Sequence, residues 1–143
     1  MTEKSKIVVV YATKTGHSRK IADAIAKELH VQAVNIKSNP ELGDINLLFI
    51  VGGIYGGQSL PELIDFAESL DNTTVKKVAL ITSCMSINTP QSTIRSSLQG
   101  KEINVVEEEF ICQGNFLFFG LGHPKKDEIE SAVAYAKKIT SKL

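Results

Sequence analysis

The chain has no tryptophan, no excess of either charge and no long apolar segment, and these absences exclude several classes of protein. Its 16 basic residues balance 16 acidic ones, so electrostatics predict neither a nucleic-acid partner nor a membrane partner. No apolar run approaches the roughly 20 residues that a membrane helix needs. The short polar start, Met1 to Lys6, is not typical of a signal peptide. We therefore expect a cytoplasmic protein.

Cysteine and histidine are also scarce. Cys84 and Cys112 lie far apart and form no Cys-x-x-Cys motif, which predicts reduced, structural thiols. The three histidines are scattered and have no carboxylate at a close spacing. The sequence therefore predicts no metal site.

Apolar strand-like runs alternate with amphipathic helical segments five times, without repeats or an evident linker. The run from Ile7 to Tyr11 is continuously apolar, which is typical of a strand buried on both faces. Such alternation predicts one α/β domain over residues 1–143, with three layers and a doubly wound, five-stranded parallel sheet in the order 2-1-3-4-5. The predicted strands are 7–11, 32–36, 47–51, 78–82 and 103–112, and the predicted helices are 18–29, one beginning near 61, 91–98 and 127–142.

A sheet of this kind binds ligands at the carboxyl ends of its first, third and fourth strands. The first loop there is rich in hydroxyl groups and precedes a helix, whose first amides and dipole attract anions. Its glycine lets a ligand approach the backbone closely. The loop therefore predicts phosphate binding, and the alternative is an ordinary polar turn with a helix cap. The predicted phosphate residues are Thr13, Lys14, Thr15, Gly16, His17 and Ser18.

The other two loops have compositions that suit a flat heterocycle. Residues 52–57 contain four glycines and one aromatic side chain, Tyr55, which could stack on a planar ring. The loop after the fourth strand offers small polar groups and a backbone that could hydrogen-bond a ring edge. The residues predicted to contact the ring are Gly53, Ile54, Tyr55, Gly56 and Gly57 in the second loop, and Ser83, Cys84 and Met85 in the third.

Together the three loops resemble the FMN-contacting segments of the flavodoxin family, and the similarity spans essentially the whole chain. The segments 53–57, 110–114 and 122–124 are similar to those of small, single-domain, short-chain flavodoxin-like proteins. The resemblance implies noncovalently bound FMN, with its phosphate on the first loop and its ring between the other two. It also implies that the peptide at Gly56 or Gly57 turns its carbonyl towards flavin N5 during one-electron reduction.

The resemblance further implies an electron carrier that shuttles low-potential electrons between redox protein partners, a reductase and an acceptor, and that needs no catalytic side chain. We expect a monomer. The alternative is an FMN-dependent reductase or oxidase acting on a small molecule such as a quinone or porphyrinogen, because the third loop has no aromatic residue to cover the ring. A receiver-like domain without flavin is disfavoured, since no acidic cluster follows the first strand. The acidic run 107–109 is predicted to lie on a solvated strand face.

Overall fold

The structure, a computed structural model, describes residues 6–12, 16–38, 42–55, 58–84, 91–113 and 126–142. Within these ranges, four α-helices surround one sheet, and a single 3-10 turn follows the second strand. The elements are β1 (Ile7–Tyr11), α1 (His17–Leu29), β2 (Ala33–Asn35), the 3-10 turn (Ile36–Ser38), β3 (Leu47–Tyr55), β4 (Gln58–Ser59), α2 (Pro61–Glu68), β5 (Lys77–Cys84), α3 (Ser92–Gly100), β6 (Asn104–Val105), β7 (Phe110–Gln113) and α4 (Lys126–Ser141).

The strands form a mainly parallel sheet in the order β2-β1-β3-β5-β6. β7 also pairs with β5, and β4 pairs in antiparallel fashion with the end of β3. β5 is the fourth predicted strand, and β6 and β7 are the two ends of the fifth. The predicted order 2-1-3-4-5 and the flavodoxin-like fold class are therefore confirmed.

Each face of the sheet has its own apolar core. Side chains alternate across a strand, so Val9 and Phe49 face α1 and α4, whereas Val10 and Ile50 face α2 and α3. All four side chains are completely buried. Burial on both faces explains why these strands are continuously apolar, and it confirms the predicted three layers.

The helices follow their apolar spacing. In α1, Ile21 and Ile25 are buried one turn apart, and the helix ends where His30 adopts a left-handed conformation with φ of 57°. The observed bounds of α1, α3 and α4 lie within two residues of the predicted ones. In the part of the chain that the structure describes, no helix has the length and apolar character needed to cross a membrane.

The third strand is longer than predicted. It continues through two glycines to Tyr55, because Gly52 and Gly53 pair with the end of β5. Gly52 is needed for close packing: an added Cβ would overlap Leu63 Cδ2 of α2 and lie 3.2 Å from Gln91 Oε1. The prediction that the strand stops at these glycines is wrong, since they are strand residues over which α2 packs.

The fifth predicted strand is interrupted. Val105 lies opposite Val78 and Phe110 lies opposite Ile81, so five steps along this strand match three steps along β5. The residues between, 106–109, form a bulge that leaves the ladder after the Val106 amide donates to the Val78 carbonyl at 2.8 Å. The prediction of a continuous strand over 103–112 is therefore wrong for residues 106–109.

Asp71 organises the turn between α2 and β5. Its Oδ1 accepts hydrogen bonds from the hydroxyl groups of Thr73 (2.5 Å) and Thr74 (3.0 Å) and from both backbone amides, each at 2.9 Å. These bonds, that of the Thr73 hydroxyl first, lower the pKa of Asp71 from 3.8 to about 2. The pKa of Asp71 is lower in the folded state than in the unfolded state. The ionised carboxylate therefore stabilises the folded protein fully above pH 3.8, and this stabilisation is lost as the pH falls through about 2.

Asp71→Ala should therefore lower the free energy of unfolding at neutral pH, and its difference from the wild type should shrink between pH 3.8 and about 2. Urea denaturation at a series of pH values measures this. Asp65→Ala, which removes an exposed carboxylate on α2, is the control. The same pH dependence in both variants would contradict the role of the turn.

Gly52→Ala should destabilise the protein by about 1–3 kcal/mol, because the added methyl group must displace Leu63. Gly100→Ala is the matched control, since a Cβ at the end of α3 meets no atom within 4 Å. That change should be neutral or stabilising by up to about 1 kcal/mol. Denaturant unfolding of both variants checks the difference, and equal stabilities would show that Gly52 is not required for packing.

Candidate functional site

The carboxyl ends of β1, β3 and β5 lie side by side at one edge of the sheet. Tyr11 lies opposite Val51, and the Ala12 amide donates to the Val51 carbonyl at 3.1 Å. Further along, Gly53 lies opposite Ser83. Neighbouring strands are about 5 Å apart, so these three ends fall within roughly 10 Å of one another. The three strand ends therefore lie together at this edge, where the sequence predicts a ligand site.

Gly16 begins α1 at this edge with a left-handed conformation, φ 91°. It is the only glycine with a positive φ among the residues that the structure describes. An added Cβ would meet no atom within 4 Å, so the backbone conformation, and not packing, requires glycine here. The space beside the start of the helix is therefore open.

Ser18, in the first turn of α1, has an unsatisfied hydroxyl. The residue is completely buried, and its Oγ has no hydrogen-bond partner among the described residues. Burying an unpaired hydroxyl costs about 1–3 kcal/mol, so the working protein should supply a partner. The first turn carries no acidic side chain, and helix N-termini attract anions. The position therefore fits a phosphate oxygen.

The residues predicted to contact a ring lie mainly on strands. Gly53, Ile54 and Tyr55 belong to β3, and Ser83 and Cys84 belong to β5. Register places Gly53 opposite Ser83 and Ile54 opposite Cys84, so the sheet brings the two predicted sets together. Their cofactor contacts stay predictions. Thr13, Lys14, Thr15, Gly56, Gly57 and Met85 lie outside the described residues, and so do the side chains of His17, Ile54, Tyr55, Ser83 and Cys84.

Sequence reasoning missed a hairpin at the end of β3. Ser59 on β4 lies opposite Ile54, and Gln58 lies opposite Tyr55. Ser59 is 6% exposed, and its Oγ has no hydrogen-bond partner in the described part of the chain. The signal was the pair of glycines between two extended segments, which is typical of a two-residue hairpin turn. A second unpaired hydroxyl therefore lies beside the end of β3.

Sequence reasoning also missed a buried polar cluster near the end of β5. Glu109 was predicted to be solvated, but its side chain is only 6% exposed. Its Oε2 accepts hydrogen bonds from Thr82 Oγ1 at 2.6 Å and from the Gln91 amide at 2.8 Å. Its Oε1 lies 3.5 Å from the Arg95 guanidinium, an ion pair without a hydrogen bond. The prediction of a solvated face is wrong for Glu109, although its neighbours 107 and 108 are exposed.

Gln91 extends this cluster towards β3. It is completely buried, and its Nε2 donates to the Ile81 carbonyl at 3.2 Å. Its Oε1 faces Gly52 and has no hydrogen-bond partner among the described residues. The buried side-chain oxygens without a hydrogen-bond partner in the described ranges thus belong to Ser18, Ser59, Gln91 and Glu109. Ser18 lies in the helix that follows β1, Ser59 ends β4, and Gln91 and Glu109 lie near the end of β5.

The segment that carries Glu109 is fixed to α4. The Tyr135 hydroxyl donates to the Glu108 carbonyl at 2.5 Å. Burial raises the pKa of Tyr135, and the charges of Glu108 and Glu109 raise it further, so this hydroxyl remains a donor at neutral pH. Lys138 Nζ also lies 2.7 Å from Glu108 Oε1, but both side chains are about half exposed, so that pair contributes little.

The chemistry of the described site is that of a binding site. It presents hydroxyl groups, backbone groups and a helix N-terminus, and its one buried carboxylate is already engaged. Among the described residues, no group of three or more His, Cys, Asp or Glu side chains is placed to hold a metal ion. These groups suit an anionic ligand.

Comparisons with known structures identify the same architecture. Oxidised Flavodoxin 2 from Bacillus cereus aligns with a TM-score of 0.74 at 18% identity, covering 97% of this chain and 100% of that one. A short-chain flavodoxin associated with a PDU bacterial microcompartment aligns at 0.68 and 18% identity, covering 96% and 98%. An azoreductase from Bacillus anthracis aligns at 0.63 and 11% identity, covering 98% and 100%. Identities this low show the fold alone.

No curated protein sequence matches the chain significantly. A family model described as Flavodoxin domain, however, matches residues 8–141, nearly the whole chain. The protein therefore belongs to the flavodoxin domain family, and this membership implies a flavin cofactor.

Proposed function

We propose that the protein is a single-domain, FMN-containing electron carrier that passes low-potential electrons between redox protein partners in the cytoplasm. The observation that carries the proposal is the buried, unpaired hydroxyl of Ser18 at the start of α1. It lies at the edge where the ends of β1, β3 and β5 meet. A ribityl phosphate fits this position, because the hydroxyl, the helix dipole and the left-handed Gly16 all favour a close anionic group.

The chain's own groups would bind and orient the cofactor. Ser18 and the first amides of α1 would hold the phosphate, together with the predicted segment 13–15. The paired ends of β3 and β5 would support the ring, since Gly53 and Ser83 are neighbours there. FMN, when bound, supplies the one- and two-electron chemistry. No side chain then needs to donate or accept a proton, and a monomer is sufficient.

A two-electron enzyme is the second candidate. The chain has no tryptophan, and the segment 85–90 has no aromatic residue, so, unless Met85 covers it, one face of the ring would be open to a substrate. An azoreductase shares the fold. The substrate would be a small molecule such as a quinone or a porphyrinogen.

Stepwise anaerobic reduction of the FMN-loaded protein separates these two functions. We expect two resolved one-electron steps in the visible spectrum, as a one-electron carrier requires. A single two-electron step, together with turnover of added quinone, would favour the reductase. Failure of the purified protein to bind FMN would contradict the cofactor itself.

Ser18→Ala should weaken FMN binding by at least about tenfold, because a hydrogen bond to a charged group contributes about 1.5–3 kcal/mol. Riboflavin lacks the phosphate, so its affinity should not change. The flavin-free variant should be as stable as the wild type or more so, since the unpaired hydroxyl is removed. Fluorescence titration with both flavins and thermal unfolding measure these effects.

Ser96→Ala, on the exposed face of α3, is the control and should leave both affinities unchanged. Equal losses of FMN and riboflavin affinity in Ser18→Ala would show that Ser18 does not contact the phosphate.

A further inference from the structure

One carboxylate oxygen joins the two ends of the segment that follows β5. Thr82 lies near the end of the strand, and Gln91 is the first described residue after the segment 85–90. The Thr82 hydroxyl and the Gln91 amide both donate to Oε2 of Glu109, at 2.6 Å and 2.8 Å. The spacing between the two ends therefore depends on a side chain 18 residues beyond Gln91.

A second hydrogen bond closes the same segment. Gln91 Nε2 donates to the carbonyl of Ile81, at 3.2 Å. Gln91 is completely buried, so water cannot replace either of its bonds without opening the core. The start of α3 is thus attached to the end of β5 by its backbone, through Glu109, and directly by its side chain.

Glu109 is itself held in place. Its other oxygen, Oε1, lies 3.5 Å from the Arg95 guanidinium, and Arg95 also donates to the Val106 carbonyl at 3.1 Å. Tyr135 fixes the adjacent residue, Glu108, through its carbonyl. A carboxylate bound on both oxygens and anchored through its backbone has little freedom to rotate, so it acts as a preformed clamp.

We propose that Glu109 is a positioning residue that holds the start of α3 against the end of β5, beside the predicted ring-contact residues Ser83 and Cys84. Those two residues follow Thr82 directly and are paired with β3, so the clamp sets where the start of α3 stands relative to them. The statement that a flavin ring lies beside these residues rests on the proposed function. The clamp itself does not.

A general structural role would affect the whole chain, whereas a positioning role is local. Backbone hydrogen exchange distinguishes the two, and it can be measured without flavin. Glu109→Ala leaves the Thr82 hydroxyl and the Gln91 amide unpaired and should speed exchange of amides 91–95, at the start of α3, by about tenfold or more. Amides of β1 and of residues 47–51 should keep their wild-type protection.

Glu108→Ala is the matched control, because it removes a neighbouring, ion-paired glutamate whose side chain is 54% exposed. Its exchange pattern over 91–95 should match the wild type. Glu109→Gln keeps an oxygen that can accept both hydrogen bonds, so it should restore most of the protection. If Glu109→Ala does not fold, Thr82→Val, which removes one donor at constant volume, replaces it.

FMN dissociation is the second readout. Glu109→Ala should release FMN at least about tenfold faster than Glu108→Ala, and Glu109→Gln should lie close to the wild type. Uniformly faster exchange along the chain, or equal exchange over 91–95 in the two alanine variants, would overturn the proposal. If Glu109→Ala speeds exchange only at the start of α3, and the wild-type protein binds no FMN, the clamp is supported and the proposed function is refuted.

Discussion

The packing beside the candidate site depends on one buried carboxylate, that of Glu109. Glu109 needs partners for both oxygens, and removing one member of a buried pair costs about 3–5 kcal/mol. Those partners come from two elements: Thr82 of β5, and α3, which supplies the Gln91 amide at its start and Arg95 in its first turns. The bulge between β6 and β7 carries the carboxylate to Thr82. The same contacts join α3 to the sheet beside the candidate site.

Close packing complements this polar cluster. The absence of a side chain at Gly52 lets Leu63 of α2 and the amide group of Gln91 lie against β3. The buried oxygens without a hydrogen-bond partner, in the described ranges, are found at this same edge of the sheet. Buried polar groups are normally hydrogen-bonded, so the oxygens of Ser18, Ser59 and Gln91 are available to a ligand, whereas that of Glu109 is already ion-paired with Arg95.

Much of the fold followed from local pattern. The apolar runs identified β1, the core of β3 and the core of β5, because a strand that is buried on both faces is apolar at every position and does not alternate apolar with polar residues. The strand order followed from the regular alternation of strands and helices. Gly16 and Ser18 were singled out from residue type alone, and the structure shows the left-handed conformation of the first and the burial of the second. Their position at this edge could be predicted because the carboxyl ends of parallel strands must meet.

By itself, then, the sequence determined the elements, their order and the edge at which a ligand would bind, because hydrophobic periodicity and turn chemistry are local. Only the tertiary structure decided that β3 passes through its glycines, since the pairing with β5 and β4 comes from segments distant in sequence. It also decided that Glu109 is buried while Glu107 and Glu108 are exposed. Three consecutive glutamates look alike in sequence, and the partners that satisfy a buried carboxylate, Thr82, Gln91 and Arg95, are brought together only by folding.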